Sequence, residues 1–274
     1  MKFKNRVKEK YQETKRSSLV VYMILRFLVI ICMILQILRG DFHNALLCLL
    51  ALILLFLPLF IQRSLKITLP NTLEIIIFLF IFSAEILGEI QNFYGLIPFW
   101  DSLLHTINGF LSAAVGFSLI YLLNNTSNKI NLSPIYLCLV AFCFSMTIGV
   151  LWEFFEYGTD KILSIDMQKD EVVEKISSVN FDPQKDNNPI VIEDIDHTII
   201  YDANNNELIT INDGYLDIGL NDTMKDLLVN FIGAIVFSLL GYFYIISNGS
   251  SKFIHHFIPQ KGSRKYLKVS KEKK

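Results

Sequence analysis

Only four cysteines occur in the 274-residue chain, and none stands in a Cys-x-x-Cys pair. Cys32, Cys48, Cys138 and Cys143 all fall inside apolar runs, so neither a disulfide framework nor a cysteine zinc site is implied and they read as small hydrophobes. No nucleotide-cofactor motif is present, and no nucleic-acid partner is expected. The acids show no EF-hand spacing, and there is no internal repeat of the kind that inverted-repeat transporters carry. The first apolar run is too long for a signal-peptide core and lacks a small-residue cleavage site, which makes it an uncleaved anchor. Arginine is absent from one half of the bundle except at Arg39, so that half lacks the usual clamp for phosphoryl chemistry.

What the chain has is apolar surface. Hydrophobic residues make up 52% and the mean hydropathy is +0.43, more than a soluble domain of this length needs. Stretches long enough to cross about 30 Å of hydrocarbon lie at 19–38, 44–62, 72–91, 100–123, 134–157 and 222–246. The expected fold is an all-α membrane protein, a six-helix transmembrane bundle with a small extracytoplasmic insertion containing a β-hairpin. Its divisions are a basic cytoplasmic tail at 1–17, helices one to five within 18–157, the insertion at 158–220, helix six at 221–246 and a second basic cytoplasmic tail at 247–274.

Orientation follows from the excess of Lys and Arg in cytoplasmic loops. Arg63 and Lys66 in the second-to-third connection, Lys129 in the fourth-to-fifth, and Lys252, Lys261, Arg264, Lys265, Lys268, Lys271, Lys273 and Lys274 in the tail all fall on the side of the basic N-terminus. The reading is a multi-pass plasma-membrane protein with both termini cytoplasmic and the lipid bilayer as its first partner. Arg26, roughly two turns into the first span, is placed to snorkel back to the headgroups. Arg39-Gly40-Asp41 is a short turn. Residues 158–220 hold fourteen acids against four lysines, a balance of −10 that suits an outside loop. Thr198–Tyr201 and Glu207–Ile211 are β-prone runs flanking Asp202–Asn206, a turn composition, and predict a hairpin. The first half of the insertion reads as flexible.

Polar residues gather at one end of the spans. The third stretch ends with Glu85 and Glu89, the fourth begins with Trp100-Asp101 and then His105, the fifth ends with Glu153, Glu156 and Asp160, and the sixth enters through Asp222 and Asp226 with Asn230 a turn further on. These eight acids have only Lys161 and Lys225 as nearby bases, so protons or metal ions must complete the set. Carboxylates at i, i+3 and i, i+4 with one imidazole are the ligand supply of carboxylate-bridged metal sites in helix bundles. The candidate metal ligands are His105, Asp101, Glu153, Glu156, Asp222 and Asp226, supported by Glu85, Glu89 and Asn230. Oxygen donors suit Mg²⁺, Mn²⁺ or Ca²⁺, and His105 leaves Zn²⁺ or Fe²⁺ open. Asp101 and Asp222 have capping as an alternative role at helix N-termini. Glu89, Glu156 and Asp160 are expected at helix C-termini, where the dipole opposes them. Glu153, Glu156 and His105 are the candidates for catalysis. Gly109, Gly116, Gly149, Gly233 and Gly241 are expected to serve helix packing, His43 is expected to face solvent, and His255 and His256 the headgroups.

Three motifs carry a resemblance: Phe99-Trp100-Asp101-Ser-Leu-Leu-His105-Thr-Ile-Asn-Gly109, Trp152-Glu153-Phe154-Phe155-Glu156, and Asp222-Thr223-Met224-Lys225-Asp226-Leu227. In these the chain resembles the YjdF-like family of bacterial inner-membrane proteins of undetermined function. Leu227 departs from the family's Met, and the insertion is longer than usual. The resemblance implies a shared helical fold and polar site but no reaction. Three functions stay open: a pocket whose metal supports hydrolytic or transfer chemistry on a lipid or envelope substrate, a cation- or proton-coupled transporter, and a structural or sensory protein with an acidic outer domain. The inner halves of the fifth and sixth spans lack ionisable groups, which favours a one-sided pocket over a channel.

Overall fold

The computed structural model describes residues 2–65, 67–126, 131–247, 249, 254, 256, 257, 260 and 261. Lys66, Lys129, Lys252, His255 and the tail beyond Lys261 lie outside them. The chain is mainly helical: α1 Lys2–Arg39, α2 Phe42–Leu54, α3 Leu57–Leu65, α4 Asn71–Phe82, α5 Phe93–Leu96, α6 Trp100–Thr126, α7 Pro134–Leu163 and α8 Leu220–Ile246. Two compact units emerge, one of residues 1–149 with 229–274 and the other of residues 150–228.

In the first unit, α1 packs on α2 and α4. Gly40 makes the reversal between α1 and α2 at φ +76, a left-handed value that favours glycine. The amide of Gly40 donates to Ile37 O and that of Asp41 to Gln36 O, satisfying the last carbonyls of α1. Asp41 then caps α2, its Oδ1 accepting from the Asn44 amide at 3.0 Å. The second expected span is interrupted at Leu55–Phe56, because Pro58 has no N–H and its ring crowds the carbonyl of Leu54. Among the described residues five helical stretches are long and apolar enough to cross a membrane: Ser17–Arg39, Phe42–Ser64, Trp100–Asn124, Pro134–Leu163 and Leu220–Ile246. The remaining stretch, expected at 72–91, is helical to Ile90 but winds as α4 for 12 residues and then as a π-helix, Ser83–Ile90, for 8.

Large apolar residues such as Leu19, Met23, Phe27 and Leu38 are exposed along α1, the faces that lipid covers, while small and polar residues pack inside. At the α6–α8 crossing, a Cβ on Gly109 would stand 2.1 Å from the Asn230 carbonyl oxygen, and one on Gly233 would stand 2.0 Å from that of Thr106. α7 joins this contact, with Ser145 Oγ donating to Gly109 O at 2.7 Å.

One edge of this unit ties distant segments together. Ser18 donates from its amide to Asn71 Oδ1 and from its hydroxyl to Glu74, which also accepts from Gln62. Strand β1 (Ile67–Thr68) pairs antiparallel with a late strand, Gln260–Lys261. The start of the first span, the second-to-third connection and the chain after α8 therefore share one edge. Beyond α8 the chain folds back, burying Ile254 and Phe257; the Phe257 ring packs on Phe110 and Phe237, and its carbonyl accepts from Ser118 Oγ.

In the second unit the insertion forms three two-stranded antiparallel ribbons. β2 (Glu171–Val173) pairs β7 (Tyr215–Asp217), β3 (Ile176–Ser178) pairs β4 (Ile190–Ile192), and β5 (His197–Tyr201) pairs β6 (Glu207–Asn212). The last is the expected hairpin. The first half, expected to be flexible, instead contributes β2, β3 and β4, because side chains organise its turns. Asp182 accepts from the amides of Gln184, Asp186 and Asn188. Asp202 does the same for Asn204 and Asn206.

Adding a methyl group at Gly109 (Gly109→Ala) should cost about 1–3 kcal/mol through overpacking. Gly158→Ala, where nothing lies within 4 Å of the new Cβ, should gain about 0.5–1 kcal/mol from helix propensity. Thermal unfolding of the purified protein in detergent reads both.

Backbone amides, that of Gln184 first, hold Asp182 below the usual carboxylate range, and the Asn206 side chain and backbone do so for Asp202. Each turn is then stabilised above the unfolded value of about 3.9 and loses that stability as pH falls through the lower folded value. Carboxyl carbon NMR titration should place both midpoints below 3.9, and Asn206→Ala should move that of Asp202 upward.

Candidate functional site

Helices α7 and α8 each carry two acids on a buried stripe. On α7 the buried positions run Ala141, Ser145, Gly149, Glu153 and Glu156, in steps of four and three. On α8 they run Asp222, Asp226, Asn230 and Gly233 to Phe237. Along one face of each helix, small and aromatic packing residues thus give way to carboxylates. Glu153, Glu156, Asp222 and Asp226 are each no more than 7% exposed.

In the first unit, Asp101 lies in the first turn of α6, and its Oδ1 is 3.5 Å from Nε2 of the buried His105. Trp100 Nε1 and Asp101 Oδ2 are buried without a hydrogen-bond partner among the described residues, an open donor beside an open acceptor. Phe93 of α5 packs edge-on against the Trp100 ring at 5.0 Å. A turn further along α6, Asn108 donates to Asn230 Oδ1 at 3.1 Å, and Asn230 Nδ2 reaches Met146 Sδ. Asn230 is a packing keystone with polar valences filled inside the bundle.

Glu85 and Glu89 fall on the π-helix, where the Gln91 amide bonds Ile86 O five residues back, so their spacing of four no longer corresponds to a regular α turn. Glu85 is buried and Glu89 half-buried. Glu85 lies near Glu89 and the Cys48 thiol of α2.

In the second unit, α7 runs on to Leu163, past the expected end at 157. Glu156 therefore stands nearly two turns from the helix end, outside the reach of the terminal dipole. The opposition expected there acts on Asp160 alone, and Asp160 is occupied: its two oxygens accept from the Met167 and Gln168 amides at 2.7 and 2.9 Å. It closes the end of α7 and does not pair with Lys161, whose ammonium lies over the Tyr157 ring at 5.6 Å. Asp217 accepts from the Asn221 amide at 2.7 Å and so serves the α8 N-terminus, relieving Asp222 of the capping role. Asp222 instead accepts from the Lys169 amide at 2.8 Å. Lys225 points to Glu171 at 4.0 Å on the surface. Both lysines counted near the acids are thus directed elsewhere.

The Trp152 Nε1–H donates to Glu156 Oε1 at 2.7 Å, a role that the sequence reading did not assign to it. The spacing of four within Trp152-Glu-Phe-Phe-Glu156 was the available signal. The indole fixes one oxygen of the carboxylate.

A hydrogen bond to a charged group contributes about 1.5–3 kcal/mol. Trp152→Phe should lower thermal stability by about that amount in the wild-type background and by less in Glu156→Gln. A double-mutant cycle on unfolding midpoints measures the difference.

No solved structure matches the chain. An uncharacterized protein of Thermotoga maritima is 30% identical over 108 residues, which is 39% of this chain and 54% of that protein. The chain thus spans about half the length of the curated relative it matches. The resemblance to YjdF-like proteins is consistent with the family match, and because the model described as predicted membrane protein (DUF2238) covers residues 19–247, the chain belongs to that family.

Proposed function

We propose that the protein is a membrane-embedded binding pocket for a divalent metal ion, facing the extracytoplasmic side and supporting hydrolytic or transfer chemistry on a lipid or envelope substrate. The observation that carries the reading is the conversion of the buried stripes of α7 and α8 from packing residues to Glu153, Glu156, Asp222 and Asp226. These four carboxylates are oxygen donors of the kind that suits Mg²⁺ or Mn²⁺. A metal bound there would supply a Lewis acid or an activated water. Glu156, held by Trp152, would orient the donor set, and a carboxylate left off the metal would serve as general base.

A channel reading fares worse. Away from the acids, the interior of α6 and α8 is closed by Phe110, Phe117, Phe237 and the folded-back Phe257, with Tyr121 stacked on Phe117. Cytoplasmic termini are supported by the shared edge of Ser18, residues 67–74 and Gln260–Lys261, which joins segments flanked by basic residues.

Protein purified without chelator should carry a divalent ion measurable by elemental mass spectrometry, and Glu153→Gln or Asp226→Asn should reduce it several-fold with normal protein yield. Metal-free wild type that also fails to bind added Mn²⁺ or Zn²⁺ by calorimetry would overturn the proposal.

A further inference from the structure

Arg26 is the charged group of the bundle that the acid-lined site does not use. It sits on α1 nine residues beyond Ser17, where the first apolar span begins. A guanidinium cannot shed its proton, so the charge persists inside the span. Among the described residues its hydrogen-bond partner is a neutral one, the Tyr22 hydroxyl one turn back on α1. The guanidinium carbon lies 4.7 Å from the centre of the Phe56 ring and 5.8 Å from that of Tyr22.

The elements around it offer no counter-charge. α2 has no ionisable acid, and the single acid on α4, Glu74, is held by Ser18 and Gln62 about two turns away along α1. Glu85 lies by Glu89 and Cys48. The setting is nonetheless packed: Tyr22 lies against Phe78 at 5.3 Å and Phe56 at 6.4 Å between ring centres. Phe56 is itself fixed at the break that Pro58 opens between α2 and α3. Phe56 is 43% exposed, so this place opens sideways to lipid.

We propose that Arg26 and Tyr22 form a binding site for the phosphate of an anionic phospholipid seated against α1 at the α2–α3 break. Arginine has five N–H donors, and the Tyr22 contact takes one of them, leaving a fork that matches two phosphate oxygens. Tyr22 accepts from Arg26 and keeps its own O–H to donate to the same phosphate. Its position one turn nearer the start of the span draws the guanidinium toward the headgroups. Phe56 supplies an apolar wall for the adjoining chain. A zwitterionic headgroup gains less, since no nearby free carboxylate faces its ammonium.

The test uses the full-length protein in mixed micelles titrated with phosphatidylglycerol, phosphatidylcholine or inorganic phosphate, with bound lipid counted by native mass spectrometry. Wild type should retain phosphatidylglycerol in preference to phosphatidylcholine. Arg26→Gln should weaken that retention by about tenfold or more and Tyr22→Phe by several-fold, with inorganic phosphate competing poorly. Equal retention by wild type and Arg26→Gln, or no preference over phosphatidylcholine, would overturn the proposal. Effective competition by inorganic phosphate would also overturn it, by showing a site for the free anion. Tyr22→Phe retains the charge and decides the matter if Arg26→Gln does not fold: unchanged phosphatidylglycerol retention in Tyr22→Phe then overturns the site.

Discussion

The contact on which the rest depends is the backbone approach of α6 to α8 at Gly109 and Gly233. In lipid, apolar side chains gain little by leaving one apolar surface for another, so helices associate where close fit and interhelical hydrogen bonds are available. Glycine permits both here. The Asn230 carbonyl enters the space a Gly109 side chain would fill, and Asn230 also meets Gly149 and the Asn108 amide. One asparagine thereby sets the register of three helices. His105 lies one turn from Gly109, Glu153 one turn from Gly149 and Asp226 one turn from Asn230, so each of these candidate ligands stands one turn along its own helix from a packing residue.

Much of this was legible because it is written in one-dimensional patterns. The spans appear as apolar runs, the β5–β6 hairpin as two β-prone runs around Asp202–Asn206, and the stripe of Glu153 and Glu156 as a spacing of three. The glycines at 109, 149 and 233 were rightly read as packing positions. Reversal at Gly40–Asp41 needed only a left-handed residue followed by a capping one.

What escaped depends on partners distant in sequence or on a local choice between near-equal windings. The passage from α to π at Ser83 leaves no strong mark in composition. Asp160 counted among the acids short of a partner because nothing in the sequence shows that the Met167 and Gln168 amides return to it. That same return prolongs α7 to Leu163 and removes the dipole argument at Glu156. The order of residues 171–192 was missed for a related reason: a polar, acidic stretch lacks a core, yet Asp182 replaces one locally by gathering three amides. Pro58 was a visible breaker, but a long apolar window outweighs one proline when only length and hydropathy are weighed.

The distribution of charge along the helices bears directly on mechanism. A carboxylate buried in a span is costly, and a protein tolerates several only where something offsets them. Here the acids are confined to one end of the buried stripes of α7 and α8, while the interior of α6 and α8 further along is aromatic and packs against Phe257. A conduction path would need polar groups to continue along those stripes, since an ion leaving the acids must find successive sites of comparable affinity. Instead Asn230 is the last polar side chain on its stripe before Phe237, with all its polar reach spent on packing. Among the described residues the α8 stripe offers no succession of polar sites between Asn230 and Phe237, and that counts against a conduction path along it.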